Sequence, residues 1–449
     1  MEKSGGMIDA VLLLDNYGEE SDMLRQSFRN AGFTGPVIVI EDNGFLPEDV
    51  ISVYQYFCGS FRESGRIPGK ARYFNQIDVP DYWEISGTSS NGKVTDLHRV
   101  RGRIYYAEPK QKRLARVVDW MDEKGNIRFS DHYNRYGALY ARTFFNKDAK
   151  RFCRAYFDAD GREILLENYV TRDIILNRDG RVYVFQDKTD FTRKLLEELG
   201  AMGSRIFCNS LSTPFLVSEK MPRDRQEDVL FWQEGPREDI PGNMNMILSG
   251  QSGRTRAIYV QKRASYEKLI QLGASKEILK PLGFDYSYSR ENTCQNEALI
   301  CTNSDRIKAC EELIQALPQM RFRIAAITQM SSKLLGLSKY ENVTLYPGAR
   351  SDKIEALFDR CDYYLDINHE SEIVSAVKQA FLHNLLILGF KETLHNKTYI
   401  APEHVFNGHE GMIAFLKKVM GQEAVIREQL DLQKREALSE ETTAYAKLF

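Results

Sequence analysis

The stretch from Val343 to Phe390 constrains this chain most, because short apolar runs alternate there with helical ones. Val343 to Tyr346 has a buried-strand pattern, and Pro347-Gly348 is a turn. Ser351 is placed to cap a helix carrying Ile354, Leu357 and Phe358 on one face. Tyr363 to Ile367 reads as a second strand. Ile373, Val377, Ala380 and Phe381 mark a second helix, and Leu385 to Leu388 a third strand. Strand, helix, strand, helix, strand at short spacing predicts parallel β/α winding. Ligands of such sheets lie beyond the carboxyl ends of the strands. That puts Asp366, Asn368, His369 and Glu370 at the rim where a ligand would sit.

The stretch resembles the donor half of retaining glycosyltransferases of the two-Rossmann-domain (GT-B) type. There an E-x7-E signature follows the fourth strand, and E-A-x-A-x-G-x-P-V leads into the fifth. Aligned with this sequence, the second glutamate falls on Gln379, the glycine on Asn384 and the proline on Leu386. Eight residues before Gln379 stands Ser371, between Glu370 and Glu372. The resemblance thus implies the frame of a donor site with most donor-holding residues altered.

Reading the chain in order, Ala10 to Leu14 and Pro36 to Glu41 are strand-like and flank a helix from about Glu19 to Asn30. The loop Asp15-Asn16-Tyr17-Gly18 serves either as a helix-entry turn or, less in keeping with its single glycine, as an anion loop. From Ala71 to Lys188 β-branched and aromatic residues alternate, broken by Gly125-Asn126, Asp160-Gly161 and Asp179-Gly180. Hairpin signals in series predict an antiparallel meander inserted in the β/α chain, with a face and two edges suited to a partner. Asp158-Ala159-Asp160 has a metal-binding D-x-D form but coincides with a hairpin turn. The basic run Arg99 to Arg116, with Tyr105-Tyr106, reads as a solvated or partner-facing strand pair rather than a nucleic-acid patch. Leu279 to Tyr286 reads as a linker, and Ser304 as the cap of a helix ending at Leu317.

The expected fold is α/β, with two Rossmann-like domains (GT-B type) and an inserted antiparallel β-sheet domain. The expected parts are 1–70 and 189–286 for the first Rossmann-like domain and 71–188 for the insert. The second Rossmann-like domain covers 287–425, and 426–449 is a C-terminal helical segment that the resemblance places back on the first domain.

A retaining transferase must stabilise a departing nucleoside diphosphate with cations and helix N-termini. The GT-B family supplies an arginine after the first strand of the second domain and a lysine soon after. Here Thr302-Asn303-Ser304 is uncharged, and Arg306 and Lys308 follow on the expected helix. Asn303, Ser304 and Gln379 are therefore read as degenerate donor-site positions, with no catalytic residue, metal or cofactor expected. A rearranged, self-sufficient retaining transferase is the alternative.

A narrower resemblance lies in the segments from Thr302 (TNSDRIKACEELIQALPQMRFRIAAITQMSSKLL), Tyr363 (YYLDINHESEI) and Gly44 (GFLPEDV). They are similar to the stabilising subunit of a two-protein O-linked N-acetylglucosaminyltransferase acting on serine-rich repeat adhesins of the accessory Sec system. The resemblance covers nearly the whole chain. It implies a subunit without activity of its own, a catalytic partner that uses UDP-N-acetylglucosamine, and a serine-rich acceptor. Asp366, Asn368, His369 and Glu370 are the expected acceptor-binding residues. The rival reading makes Asp366 and Asn368 caps of a helix starting near Glu370.

Composition narrows the field further. Net charge is -2 over 449 residues, with 28% charged and 43% hydrophobic, so no chain-wide field favours nucleic acid. Seven cysteines without a C-x-x-C pair read as reduced thiols. The one N-terminal apolar run, Ala10 to Leu14, is too short for a secretion signal or a membrane span. A cytoplasmic protein is expected, with any membrane contact peripheral. His369 reads as a hydrogen-bonded structural residue or a catalytic one, and nothing near His404 or His409 completes a metal site. Ser331 reads as a helix cap or a ligand contact. Trp83 and Trp232 read as core or interface anchors rather than sugar platforms.

Overall fold

The computed structural model describes residues 8–59, 69–223 and 227–449. Two compact units result: Met1–Tyr259 with Lys268–Lys280 and Ala446–Phe449, and Val260–Glu267 with Pro281–Tyr445.

The first unit contains a seven-stranded sheet. Its strands run in the spatial order Leu279–Pro281, Thr255–Val260, Asp228–Trp232, Arg205–Cys208, Ala10–Asn16, Val37–Glu41 and Val50–Ser52. Ala10–Asn16 pairs in parallel with both Arg205–Cys208 and Val37–Glu41. Val11 to Leu14 and Val37 to Ile40 are buried without alternation, as expected for strands covered on both faces. The segment read as a linker begins with a strand, Leu279–Pro281, at one edge of this sheet. Leu279 is its apolar anchor in the core.

A ten-stranded antiparallel meander, from Glu84–Gly87 to Arg181–Phe185 in sequence order, lies within the same unit. It packs onto the β/α part through aromatic contact: Tyr54 stacks on Tyr156 at 4.2 Å between centroids. The Tyr140 hydroxyl donates to the Asp42 carbonyl at 3.2 Å. Gly44 sits so close to the meander that a Cβ would lie 2.6 Å from the Tyr133 carbonyl oxygen, and its φ is +80°. The D-x-D motif is a turn: Asp158 Oδ1 accepts from the backbone N–H groups of Asp160 and Arg162, each at 2.9 Å.

The second unit holds a six-stranded parallel sheet in the order Val343–Tyr346, Arg321–Ala325, Glu297–Cys301, Tyr363–Asp366, Leu386–Phe390, Val405–Phe406. In sequence terms this is the doubly wound order 3-2-1-4-5-6. Its direction reverses between Glu297–Cys301 and Tyr363–Asp366, the switch point where such sheets bind ligands. Val343–Tyr346 is the edge strand and only half-buried, not the buried strand its apolar pattern predicts. Ile354, Leu357 and Phe358 are buried on the helix Ser351–Arg360, whose N-cap is Arg350 rather than Ser351.

The C-terminal segment divides. Ile426 and Leu430 of the helix Glu423–Glu436 belong to the second unit's core. Gln433 on that helix accepts from the Ile387 N–H and donates to the Leu385 carbonyl, both at 2.9 Å. Ala446–Phe449 instead packs within the first unit, where Phe449 stacks on Phe28 at 5.8 Å.

Candidate functional site

The two strands that flank the switch point in the second unit end at Cys301 and Asp366, just before Thr302 and Ile367-Asn368. Their ends are joined by the protein's own groups. The Thr302 hydroxyl donates to Asn368 Oδ1 at 3.0 Å, and both residues are buried. Asn368 Nδ2 donates to the Glu370 carbonyl at 3.0 Å, and the Glu370 N–H returns a bond to Asn368 Oδ1 at 3.3 Å.

The segment expected to be a helix from Ser304 is not one. Ile307 forms an antiparallel bridge with Asn368. The Lys308 N–H donates to the Ile367 carbonyl at 2.9 Å, and the His369 N–H to the Arg306 carbonyl at 3.0 Å. These bonds hold 306–308 extended, so the helix begins only at Cys310 and ends at Ala316. Ser304 therefore caps no helix; its hydroxyl accepts from the Arg306 N–H at 3.0 Å.

The cations expected near a departing phosphate are paired elsewhere. Arg306 forms an ion pair with Glu370 at 2.6 Å, and Lys308 with Glu392 at 2.7 Å. The Lys308 ammonium also lies 4.8 Å from the Phe390 ring centroid. Asn303 Oδ1 accepts from the Ile327 N–H at 3.0 Å. Gln379 is half-buried on the helix Ala376–Leu382, where an amide replaces the carboxylate of the donor signature. Asn384, which aligns with the family's glycine, follows this helix with φ +59°, a left-handed conformation that asparagine tolerates better than most residues.

No helix begins near Glu370. Residues 371–375 precede the helix at Ala376, with Val374 and Ser375 both at φ +50°. The helix start is served by Glu372, whose carboxylate accepts from the Val377 N–H at 2.7 Å. Asp366 and Asn368 thus cap no helix, because their oxygens are committed within the rim.

Asp366 is buried, and its partner is His395, which the sequence reading did not single out. The His395 N–H donates to Asp366 Oδ2 at 2.8 Å, and the ring Nδ1 lies 2.5 Å from Oδ1. The other ring nitrogen is 2.6 Å from the Glu370 carbonyl. Both ring nitrogens face acceptors, which favours imidazolium. The hydrogen bond to Asp366 is the main cause that pushes its pKa up to about 9. His369 and Glu370 are exposed. Of the four expected acceptor contacts, the rim presents these two outward and uses Asp366 and Asn368 internally.

Other candidate residues have structural partners. Ser331 caps the short helix Ser332–Leu335 and also donates to Asp305 at 3.1 Å. Trp232 is core, whereas Trp83 lies under the Arg101 guanidinium at 5.2 Å. His404 is buried, with Nε2 3.1 Å from Gln429 Oε1.

Two doubly wound sheets, one carrying an inserted meander, and a switch-point rim bridged by its own side chains define a GT-B-type glycosyltransferase fold. The chain belongs to the GtfB family. Family models described as the GtfB N-terminal, middle and third domains match residues 11–57, 83–186 and 188–272. The GftB/GlyA-F C-terminal domain matches residues 298–433. The chain is 43% identical, over 89% of each sequence, to the UDP-N-acetylglucosamine--peptide N-acetylglucosaminyltransferase stabilizing protein GtfB of Streptococcus gordonii. One chain of a crystal structure of a GtfA/B complex bound to UDP and GlcNAc matches with TM-score 0.90 and 40% identity, covering 97% of this chain and 98% of that one. The pneumococcal O-GlcNAc transferase GtfA, in complex with UDP and GlcNAc, shares the fold at TM-score 0.51 and 14% identity. There 98% of this chain and 97% of that one are covered.

Proposed function

We propose that this chain is a non-catalytic subunit that stabilises a catalytic O-GlcNAc transferase chain and helps hold its Ser/Thr-rich acceptor. The supporting observation is the bridged switch point. A transferase needs free cations where the diphosphate departs, and here Arg306 and Lys308 are neutralised by Glu370 and Glu392. One missing electrostatic contact of this type typically costs about 2.7–4 kcal/mol in the transition state. Losing the two cations and the carboxylate at Gln379 leaves little transfer chemistry.

The partner in this reading is a GtfA-like chain using UDP-N-acetylglucosamine, and the acceptor is a serine-rich repeat adhesin bound for accessory Sec export. The exposed pair His369 and Glu370 would contact acceptor peptide or serine hydroxyls, with Asp366 and Asn368 holding the rim in shape. The meander is the proposed docking element. Its terminal strand Arg181–Phe185 is a sheet edge with Val182 and Val184 each 65% exposed, which suits strand addition. Among the described residues no helix is long and apolar enough to cross a membrane; we place the complex in the cytoplasm, with any membrane contact peripheral. Coexpression with a GtfA-like chain, copurification and an assay with labelled UDP-N-acetylglucosamine test the proposal. Stable pairing with activity only in the pair supports it, and transfer by this chain alone overturns it.

A further inference from the structure

Within the first unit, a cleft of about 680 Å³ separates one face of the meander from the carboxyl ends of the parallel strands at Asn16 and Glu41. Its volume lies within the range of small-molecule sites, about 300–1,000 Å³. Neither the rim of the second unit nor the proposed docking edge uses it.

Its charged groups divide into acids with hydrogen-bond or ion-pair partners and cations without an ion pair. Glu41 pairs with Lys188. Asp42 accepts from the Gly44 N–H at 2.7 Å and from Gln55. Asp119 accepts from the Ser130 hydroxyl at 2.5 Å. Arg116, Arg151 and Arg154 also line the cleft, and none of them forms an ion pair with a described residue. Arg154 is 9% exposed. Its Nε donates to Thr143 Oγ1 at 2.7 Å and its Nη1 to the Tyr156 hydroxyl at a long 3.4 Å. Its guanidinium also lies 5.9 Å from the ring centroids of Tyr156 and Tyr169, but no carboxylate among the described residues is in ion-pair contact with it, which leaves its charge available to an anionic ligand.

The backbone directs these residues into the cleft. Tyr105 pairs with Val117 and Tyr106 with Ala115, so Arg116 is the extra residue of a β-bulge. Arg151 flanks another, where the register skips Phe152. Bulges of this kind re-aim side chains and recur beside sites. His132 lies among the three arginines with Nε2 2.9 Å from Thr143 Oγ1. Burial first, then the charges of Arg154, Arg116 and Arg151, push its pKa down to about 3. The ring is neutral and adds no competing charge.

The arginines occupy successive levels of the sheet: Arg151 opposite Phe145, Arg154 opposite Thr143, and Arg116 beside the pair Val117–His132. Cations spread in this way match an extended anion better than a single compact one. We infer that the cleft binds a small organic diphosphate, its phosphates along Arg151, Arg154 and Arg116 and its body against Tyr17 and Tyr105. Guanidinium forks suit phosphate oxygens geometrically, and the tyrosines offer aromatic faces, the Tyr17 hydroxyl being already donated to Asp22.

The test uses the full chain and calorimetric titration with pyrophosphate, inorganic phosphate and acetate at constant ionic strength. Arg116→Gln and Arg151→Gln are made at a partly exposed and an exposed position, and their melting temperatures without ligand serve as the folding control. Saturable pyrophosphate binding is expected, at least tenfold tighter than phosphate, with acetate silent. Each substitution should weaken it about tenfold or more without lowering the ligand-free melting temperature. Absence of saturable binding overturns the inference. So does equal affinity for the three anions, or binding that survives both substitutions.

Discussion

Asp366, at the end of the strand Tyr363–Asp366, and His395, in the loop after Leu386–Phe390, share one proton. The ring's pKa is raised from an ordinary 6.5 to about 9, so folding favours the protonated form. Its stabilisation is complete below pH 6.5 and fades as pH rises through about 9. The melting-temperature difference between the parent chain and His395→Gln should be largest below pH 6.5 and close above about pH 9. A difference that widens with pH contradicts the imidazolium. Asn368 and His369 separate scaffold from contact. Asn368→Ala removes the link to Thr302 and should cost about 1–3 kcal/mol in denaturant unfolding. His369→Ala, at an exposed position, should leave stability unchanged and weaken acceptor peptide binding in the complex. An unaltered acceptor affinity per folded molecule puts the acceptor elsewhere. The buried pair Asp228–Arg254 is a different case. Both side chains are fully buried at 2.8 Å, and Asp228 also accepts from the Ile206 N–H and the Ser218 hydroxyl. Asp228→Asn should cost roughly 3–5 kcal/mol, read as a shift of the urea midpoint.

Among the elements, the helix Ser351–Arg360 was legible because its apolar spacing coincides with its buried face. The meander was legible from its turn pairs: Gly125, Gly161 and Gly180 all adopt positive φ. The helix predicted from Ser304 was not, because long-range bonds from Ile367 and His369 hold 306–308 extended. Such bonds depend on which strand lies next door, and local sequence carries no trace of that. The same reason hides His395: its partner Asp366 belongs to the neighbouring strand, and a histidine in a loop has no spacing that announces it. Val343–Tyr346 read as buried because an apolar run looks alike at an edge and at the centre of a sheet. The exposed edge Arg181–Phe185 has its own test. Val182→Lys with Val184→Lys should preserve the melting temperature, since both side chains face outward, and reduce copurification with a GtfA-like chain. Undiminished pairing moves docking to another surface.

At the scale of the whole molecule, the order 3-2-1-4-5-6 in the second unit would place a donor at the switch point. The chain keeps that architecture, and Thr302, Asn368 and the bridge at Ile307 link the segments that follow the two strands there. The GT-B fold was legible in the spacing from Glu370 to Leu386, and the proposed loss of donor chemistry rests in part on Gln379. The locking of Arg306 and Lys308 emerged only in three dimensions. The most direct measurement is transfer of labelled N-acetylglucosamine from UDP-N-acetylglucosamine to a serine-rich peptide by the purified chain, without and then with a GtfA-like partner. The account predicts no incorporation above background for the chain alone and strong incorporation for the pair. Turnover by the isolated chain on the order of 1 per second, an ordinary enzymatic rate, would contradict it.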